Sequence, residues 1–289
     1  MMALNIDATT VKEQVRQGFL RINRQLSPDV EQALLNARKL EASPIGAGIL
    51  GDILENMDIA RESNSPICQD TGMAIVFVRM GQHVRILGGS LTQAIHQGVR
   101  EAYKQGYFRA SVVEDPLRRN NTGDNTPAVI HFELTDGDEL ELTLTAKGFG
   151  SENMSGLTML KPAQGRQGVV DFVLDVVRKA GPNACPPFFV GVGIGGTMEV
   201  SAILAKKALL RNVGEAHQDP YYGALEKELL QRLNGLGIGP MGLGGTQTVL
   251  GVQVETAPTH IAGLPVAVNI CCHVNRHEKI VIKGEPTHG

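Results

Sequence analysis

Tryptophan is absent from the 289 residues, and all aromatic residues together make up 4% of them. With so few flat side chains, stacking platforms for bases or sugar rings are not expected. Excess charge is missing too: 27 Lys and Arg against 30 Asp and Glu leave a net −3. That balance leaves no electrostatic footprint for nucleic acid or an anionic bilayer. No apolar run reaches about 18 residues, so no spanning helix is expected. The opening residues 1–7 lack the basic and apolar regions of a secretory signal. Four cysteines, Cys68, Cys185, Cys271 and Cys272, are too few for a disulfide framework, and no CxxC pair marks a zinc knuckle or a thioredoxin motif. A GxxxxGK[ST] phosphate loop is also absent. These absences give a cytoplasmic protein with neither nucleic acid nor membrane as partner.

What is present is apolar and glycine-rich, with 42% hydrophobic residues and 34 glycines. That is enough for a proper core and for many tight turns. At about 150 residues per domain the length allows one large domain or two small ones. With no linker, repeat or low-complexity stretch, the reading is a single domain over 1–289. Its fold class is α+β, an irregular mixed α/β arrangement: a helical lead-in over 1–63, then a mixed-sheet part over 64–289 whose loops bear the cysteines.

The lead-in reads as three helices. Thr9-Thr10-Val11-Lys12-Glu13 opens the first with a capping pattern, and Val11, Val15, Phe19 and Leu20 share a face. A second runs from about Asp29 to Glu41 on Val30, Leu34, Leu35 and Leu40. The third, Gly46 to Ser63, presents Ile49, Leu50, Ile53, Leu54 and Ile59. Beyond them, Ala74–Val78 and Val84–Leu87 are strand candidates and Ser90–Tyr103 a helix. Residues 128–134 and 139–145 read as a hairpin about Asp136-Gly137-Asp138. Further helices are expected over 169–179, 197–211 and 221–235, with strands over 187–196, 246–254 and 266–270.

Three places combine polar chemistry with turn residues. Ser65-Pro66-Ile67-Cys68-Gln69-Asp70-Thr71-Gly72 sets a thiol, a carboxamide and a carboxylate side by side in a loop entering a strand. Residues 109–127 form a long polar stretch containing Arg109, Arg118 and Arg119, and a loop of that length is commonly functional. Gly191-Val192-Gly193-Ile194-Gly195-Gly196 matches GxGxxG between a strand and a helix. The dinucleotide reading of that match lacks its acidic partner about 20 residues on, where Arg211 to His217 ends a helix. A smaller role remains for it, the amides at the start of the following helix holding a carboxylate. Cys68, Cys185 and the Cys271-Cys272 pair each stand at the edge of an apolar strand. Separated thiols of this kind are either buried packing or ligands to a shared iron–sulfur cluster.

Pro66-Ile-Cys-Gln-Asp-Thr-Gly72, Lys147-Gly-Phe-Gly-Ser-Glu-Asn153, Cys185-Pro-Pro-Phe-Phe-Val-Gly-Val-Gly-Ile-Gly-Gly196 and Leu264-Pro-Val-Ala-Val-Asn269 resemble, in order, the iron–sulfur hydro-lyases: the class I fumarases and L-tartrate dehydratases. The resemblance covers nearly the whole chain and is to the alpha subunit of the two-subunit form. It implies a [4Fe–4S] cluster on Cys68, Cys185 and one of the last pair. The family pattern in Val268-Asn269-Ile270-Cys271-Cys272-His273 favours Cys272, with Cys271 the alternative. It further implies substrate contacts at Gln69, Asp70, Arg109 and Gly150, and catalytic roles for Asp70 and His260. The base acting at C3 is expected on a beta subunit, in an α2β2 assembly. The activity so implied is fumarate hydration to (S)-malate, with L(+)-tartrate dehydration as the alternative. Two rivals are a non-catalytic subunit that merely carries the cluster and a nucleotide-binding oxidoreductase resting on Gly191–Gly196.

Overall fold

The computed structural model describes residues 4–286, which fall into two compact units. One takes in the chain up to Ser27, Met57–Lys147 and the segment from Arg276; the other takes in Pro28–Asn56 and Gly148–Asn275. The elements are β1 (Leu4–Asp7), α1 (Ala8–Ile22), α2 (Pro28–Leu40), α3 (Pro44–Ser63), β2 (Met73–Gly81), β3 (Val84–Leu87), α4 (Leu91–Gln105), β4 (Val129–Thr135) and β5 (Glu139–Lys147). They continue with α5 (Phe149–Glu152), β6 (Gly156–Leu160), α6 (Gly165–Ala180), β7 (Phe188–Gly196), α7 (Met198–Ala208), α8 (Pro220–Asn234), β8 (Val249–Thr259), β9 (Leu264–Cys271), β10 (His277–Lys283) and β11 (Glu285–Pro286). Helices and mixed sheets make this an α+β fold, as the sequence pattern implied.

In the first unit a sheet of order β10-β5-β2-β4 carries α1 and α4 on one face. Val11, Val15 and Phe19 of α1 are fully buried there with Ile95 and Val99 of α4 and Val76, Leu140, Leu142 and Leu144 of the sheet. The expected stripe on α1 is therefore its core face. Its cap differs: Asp7, ahead of the Thr9 pattern, accepts the Thr9 amide at 2.7 Å, and β1 precedes it where no strand was expected. β1 pairs parallel to β3 and antiparallel to β11 in a small separate sheet.

The expected hairpin is not formed. β5 is antiparallel to β2, and β4 is parallel to β2 on its other side, so β2 lies between the two segments. The Asp136-Gly137-Asp138 turn looked like a hairpin because turn chemistry reports only on local chain reversal. Strand partnership is decided by burial, and Val76 and Val78 fill the middle of the sheet.

In the second unit the sheet order is β6-β9-β7-β8, with β7 parallel to β8 and antiparallel to β9. Val190 and Val192 of β7 join a core with Val170, Val173 and Val177 of α6 and Leu225, Leu229 and Leu233 of α8. The alternating residues Gly191 and Gly193 face α7 instead. A Cβ on Gly193 would stand 2.0 Å from the Ser201 carbonyl oxygen, and one on Gly191 would stand 2.1 Å from that of Ala205. The glycine run is thus a closest-approach surface for a helix, which accounts for its spacing without a nucleotide. Of the lead-in helices, α2 buries Val30 and Leu34 but leaves Leu40 exposed, and α3 buries Leu50, Met57 and Ala60 while Ile45 and Ile59 stay exposed.

Glu41, just past α2, accepts the amides of Ser43 (2.8 Å), Thr246 (2.9 Å) and Gln247 (2.8 Å). Burial alone would raise its pKa, but these amides outweigh that and hold it below the ordinary glutamate value of 4.5. A depressed folded value means that the stabilisation is complete above that ordinary value and is lost as the pH falls below it. Glu41→Gln is expected to lower stability at pH 7 and to flatten the loss between about pH 5 and pH 3, measured by urea titration across that range. Gly193→Ala forces α7 off β7 and is expected to cost about 1–3 kcal/mol or more. An unchanged denaturation midpoint would contradict the close-approach account.

Candidate active site

The Cys68 loop joins α3 to β2, and its backbone is anchored on both sides of Cys68 and Gln69, at Ile67 and at Asp70 to Gly72. The Ile67 amide donates to the Asn23 carbonyl at 2.9 Å. Arg276, 2% exposed, donates from Nη1 to the Asp70 carbonyl (2.8 Å) and to Asn23 Oδ1 (3.0 Å), and from Nε to the Ala146 carbonyl (3.1 Å). The Tyr103 hydroxyl donates to the carbonyls of Thr71 (2.6 Å) and Gly72 (3.0 Å), and Asn125 Nδ2 reaches the latter at 3.1 Å. Burial pushes the Tyr103 pKa up, with the Arg276 cation pulling it partly back, so the hydroxyl stays a donor throughout the physiological range.

Gly72 has φ +75°, and a Cβ there would lie 2.8 Å from the Ala146 carbonyl carbon. Only glycine fits that position. The Gly72 amide closes a tight turn by donating to Asp70 Oδ1 at 3.0 Å. On this fixed backbone Gln69 is exposed and Cys68 and Asp70 are half-buried.

The long loop is tied to the same place. Thr71 Oγ1 donates to the Arg109 carbonyl at 3.0 Å, and Asn125 Oδ1, opposite its bond to Gly72, accepts the Ser111 amide at 2.7 Å. Residue 109 is therefore held beside the Cys68 loop with its side chain exposed. Arg118 and Arg119 lie farther along, in a turn closed on Asp115 Oδ1 and bridged at Val113 and Asn121.

The second unit gathers the other motifs. Cys185 is exposed, with left-handed backbone (φ 53°) between the turn Gly181–Ala184 and β7. Such a conformation in a residue other than glycine costs about 1–3 kcal/mol and is concentrated at functional sites. His273 Nδ1 lies 3.2 Å from the Cys185 carbonyl, joining this turn to the one that follows β9. The structure separates the cysteine doublet. Cys271 is the last residue of β9, opposite Phe189 and 3% exposed, whereas Cys272 is past the strand and half-buried. All four cysteines are thiols without disulfides.

Around this turn, Asn269 Nδ2 donates to Glu152 Oε2 at 3.0 Å, and Lys206 Nζ to Glu152 Oε1 at 2.5 Å. Two of the sequence motifs, 147–153 and 264–269, thus meet. Gly150, in the short α5, is exposed. His260 is exposed in the turn after β8, its Nδ1 accepting the Ala262 amide at 3.2 Å. Thr259 Oγ1 donates to the Gly196 carbonyl at 2.8 Å, so the His260 turn and the glycine turn share the carboxyl ends of the parallel strands β8 and β7. Ligands of open sheets bind at such ends. The start of α7 is not a vacant anion site: Glu199 occupies it, bonds from Thr197 and from its own amide holding the carboxylate below its ordinary pKa.

Among the described residues, no three His, Cys, Asp or Glu side chains are gathered around a point able to hold a single metal ion. The thiols instead divide into one in the first unit and the Cys185 and Cys272 turns in the second. Arg276, Asn23, Tyr103 and Asn125 belong to none of the sequence motifs. Nothing near Arg276 marks it, because its partners come from far along the chain.

Removing the Arg276 guanidinium takes the donor from three acceptors, two of them in buried pairs and the third half-buried. At about 1–3 kcal/mol each, Arg276→Met is expected to cost about 3 kcal/mol or more, with Arg276→Lys between it and the native protein. Amide hydrogen exchange over residues 66–72 is expected to accelerate. Native-like protection there would show that the loop does not depend on this residue.

A family model described as Fumarate hydratase (Fumerase) matches residues 12–281. A protein of Methanocaldococcus jannaschii provisionally named L(+)-tartrate dehydratase subunit alpha is 45% identical over 258 residues, covering 87% of this chain and 90% of its own. L(+)-tartrate dehydratase subunits alpha of Escherichia coli O157:H7 and of strain K12 are 36% and 35% identical over 269 residues, 92% of this chain and 88% of theirs.

Proposed function

This chain belongs to the fumarate hydratase (Fumerase) family of hydro-lyases, and from that premise we propose that it is the alpha subunit of an L(+)-tartrate dehydratase. The observation that carries the choice of substrate is the near full-length similarity to proteins bearing that name, at 45% and 36% identity. Fumarate hydration, first choice from the motifs alone, is kept as the second reading because the family model carries that name. The subunit naming of the relatives also supports a beta partner, and the reading includes an α2β2 enzyme in the cytoplasm. Among the described residues, no helix is long and apolar enough to cross a membrane.

The donor set fits a [4Fe–4S] cluster: Cys68, Cys185 and Cys272 are soft thiols with sulfur-bearing side chains at least partly exposed, on turns whose backbone is fixed. Cys271, buried in β9, is the poorer candidate. Bound there, the cluster supplies a Lewis acid for the substrate's departing hydroxyl.

The remaining work falls to side chains. Tartrate loses a hydroxyl from C2 and a proton from C3, giving an enol that tautomerises to oxaloacetate. Arg109 offers a bidentate fork to one carboxylate, and Gln69 and the backbone at Gly150 offer neutral donors. Asp70, held by its turn to Gly72, orients the C2 hydroxyl and takes up or returns its proton. His260, given a proton-handling role by the family resemblance, lies at the opposite end of β7 from the Cys185 and Cys272 turns, so within this chain the proton-handling role is assigned to Asp70 alone. The C3 base is assigned to the beta subunit. A subunit that only carries the cluster would leave Asp70 without effect, and Glu199 at α7 and the packing role of Gly193 weigh against the nucleotide reading.

The complex, co-expressed with its beta subunit and purified anaerobically, is expected to dehydrate L(+)-tartrate with a kcat/KM at least about tenfold above fumarate and D-tartrate, a difference of about 1.4 kcal/mol in transition-state binding. A preference for fumarate would move the assignment to the second reading. Asp70→Asn is expected to lower kcat by about 10²–10⁴. Serine at Cys68, Cys185 or Cys272 is expected to abolish iron and sulfide binding, and Cys271→Ser to keep both. Loss with Cys271→Ser and retention with Cys272→Ser would reverse the ligand choice.

A further inference from the structure

The two four-stranded sheets share one arrangement, two antiparallel pairings and then a parallel edge strand, yet those edges are finished differently. In the second unit β8 is the parallel edge, and side chains plug it. Asn234 brackets Val249, donating from Nδ2 to its carbonyl (3.2 Å) and accepting its amide at Oδ1 (2.8 Å). Val254 gives its amide to Glu226 Oε1 (2.8 Å), and its carbonyl accepts from Arg211 Nη1 (3.2 Å). In the first unit the antiparallel edge β10 carries Lys279 and Lys283, charges of the kind that discourage strand addition.

The parallel edge β4, Val129-Ile130-His131-Phe132-Glu133-Leu134-Thr135, carries no lysine, and its one acidic side chain, Glu133, is paired with Arg79 of the neighbouring strand. Gln82 donates its amide to the Thr135 carbonyl at 2.8 Å, next to the Gly81–Thr135 pair, so the odd-numbered residues of β4 turn their backbone groups toward β2. Successive residues of a strand point these groups to opposite edges. The amides and carbonyls of Ile130, Phe132 and Leu134 therefore face outward. Phe132 and Leu134 are 57% and 66% exposed, and Ile130 and Phe132 border a cavity of about 400 Å³ lined also by Met80, Ile86 and Leu91.

We propose that β4 receives the β4 of a second copy of this chain, antiparallel about a twofold axis through Phe132. The strand is complementary to itself in that register. Ile130 meets the partner's Leu134, Phe132 meets the partner's Phe132, and on the other face His131 meets the partner's Glu133. Glu133 lies 3.5 Å from Arg79, so the added histidine extends an existing row of alternating charge. His131 itself stacks on Phe77 at 4.7 Å between ring centroids, which fixes it on that face.

Each outward-facing residue then forms a hydrogen-bonded pair that exchanges two bonds, about six in all. Neighbouring registers fail. A shift of one residue sets outward-facing groups against inward-facing ones, and a shift of two sets His131 against His131 or Glu133 against Glu133. A twofold contact requires a surface that is its own complement, and this strand supplies one. It is this self-matching that favours a second copy over a strand from a different polypeptide.

Phe132→Cys in the 289-residue chain, oxidised with diamide and mapped by mass spectrometry, tests the register. Hydrogen-bonded antiparallel partners stand about 5.5 Å apart at Cα, within disulfide reach. The expected product is a covalent species of twice the 31.0 kDa chain mass carrying a 132–132 bridge, with no 133–133 bridge from Glu133→Cys. Phe132→Lys is expected to halve the self-association seen by sedimentation velocity or better, with unchanged circular dichroism and melting. Absence of the 132–132 bridge, a native chain that does not self-associate, or a Phe132→Lys variant that sheds a different polypeptide while staying self-associated would each overturn the proposal.

Discussion

A buried guanidinium whose bonds go to neutral acceptors holds the Cys68 loop in shape. Arg276 reaches the carbonyls of Asp70 and Ala146 and the carboxamide of Asn23, and so joins the end of α1, the end of β5 and the loop itself. Taking such a cation out of water is unfavourable unless most of its protons find acceptors, and three of its bonds do so here. The requirement acts in both directions: the arginine needs those carbonyls, and the loop cannot relax without stranding the charge. Tyr103 and Asn125 complete the anchoring from α4 and from the long loop. The candidate chemistry on Cys68, Gln69 and Asp70 thus rests on a backbone whose conformation is set elsewhere.

The second unit solves the positioning problem by shape. Gly191 and Gly193 let α7 lie directly against β7, and Val190 and Val192 on the opposite face pack under α6 and α8. That double-sided packing fixes the carboxyl ends of β7 and β8, where the His260 turn is tied to Gly196. The left-handed Cys185 stands at the other end of β7. The long-range charge of one unit and the close packing of the other serve the same end, a rigid base under an exposed turn.

Much of this was legible in the sequence because it is local. Pro66 and Gly72 mark a loop entering a strand, the helical periodicity of α1 predicts its buried face, and α4 and α6 fall where helices are expected. The polar stretch at 109–127 is irregular in structure, as its composition implied. What escaped was non-local. The turn at Asp136–Asp138 cannot reveal that β2 separates the strands on either side of it. A GxGxxG spacing serves a helix lying on a strand as well as a pyrophosphate, and sequence alone does not distinguish them. The difference between Cys271 and Cys272 comes from where β9 ends, one residue being the last of the strand and the next lying beyond it. Arg276 had no local signature at all.

The first unit is discontinuous: its sheet takes β10, and its loop takes Arg276, from the last part of the chain. During synthesis the Cys68 loop emerges long before the residue that locks it. The second unit is completed at almost the same point, because its interior strand β9 ends at Cys271. The Cys272 turn and the Arg276 lock are thus four residues apart in the chain, and the shapes of the two loops wait on the same short stretch. A chain cut short before residue 264 would lose β9 from the interior of one sheet and β10 with Arg276 from the other, so neither unit is complete without this stretch.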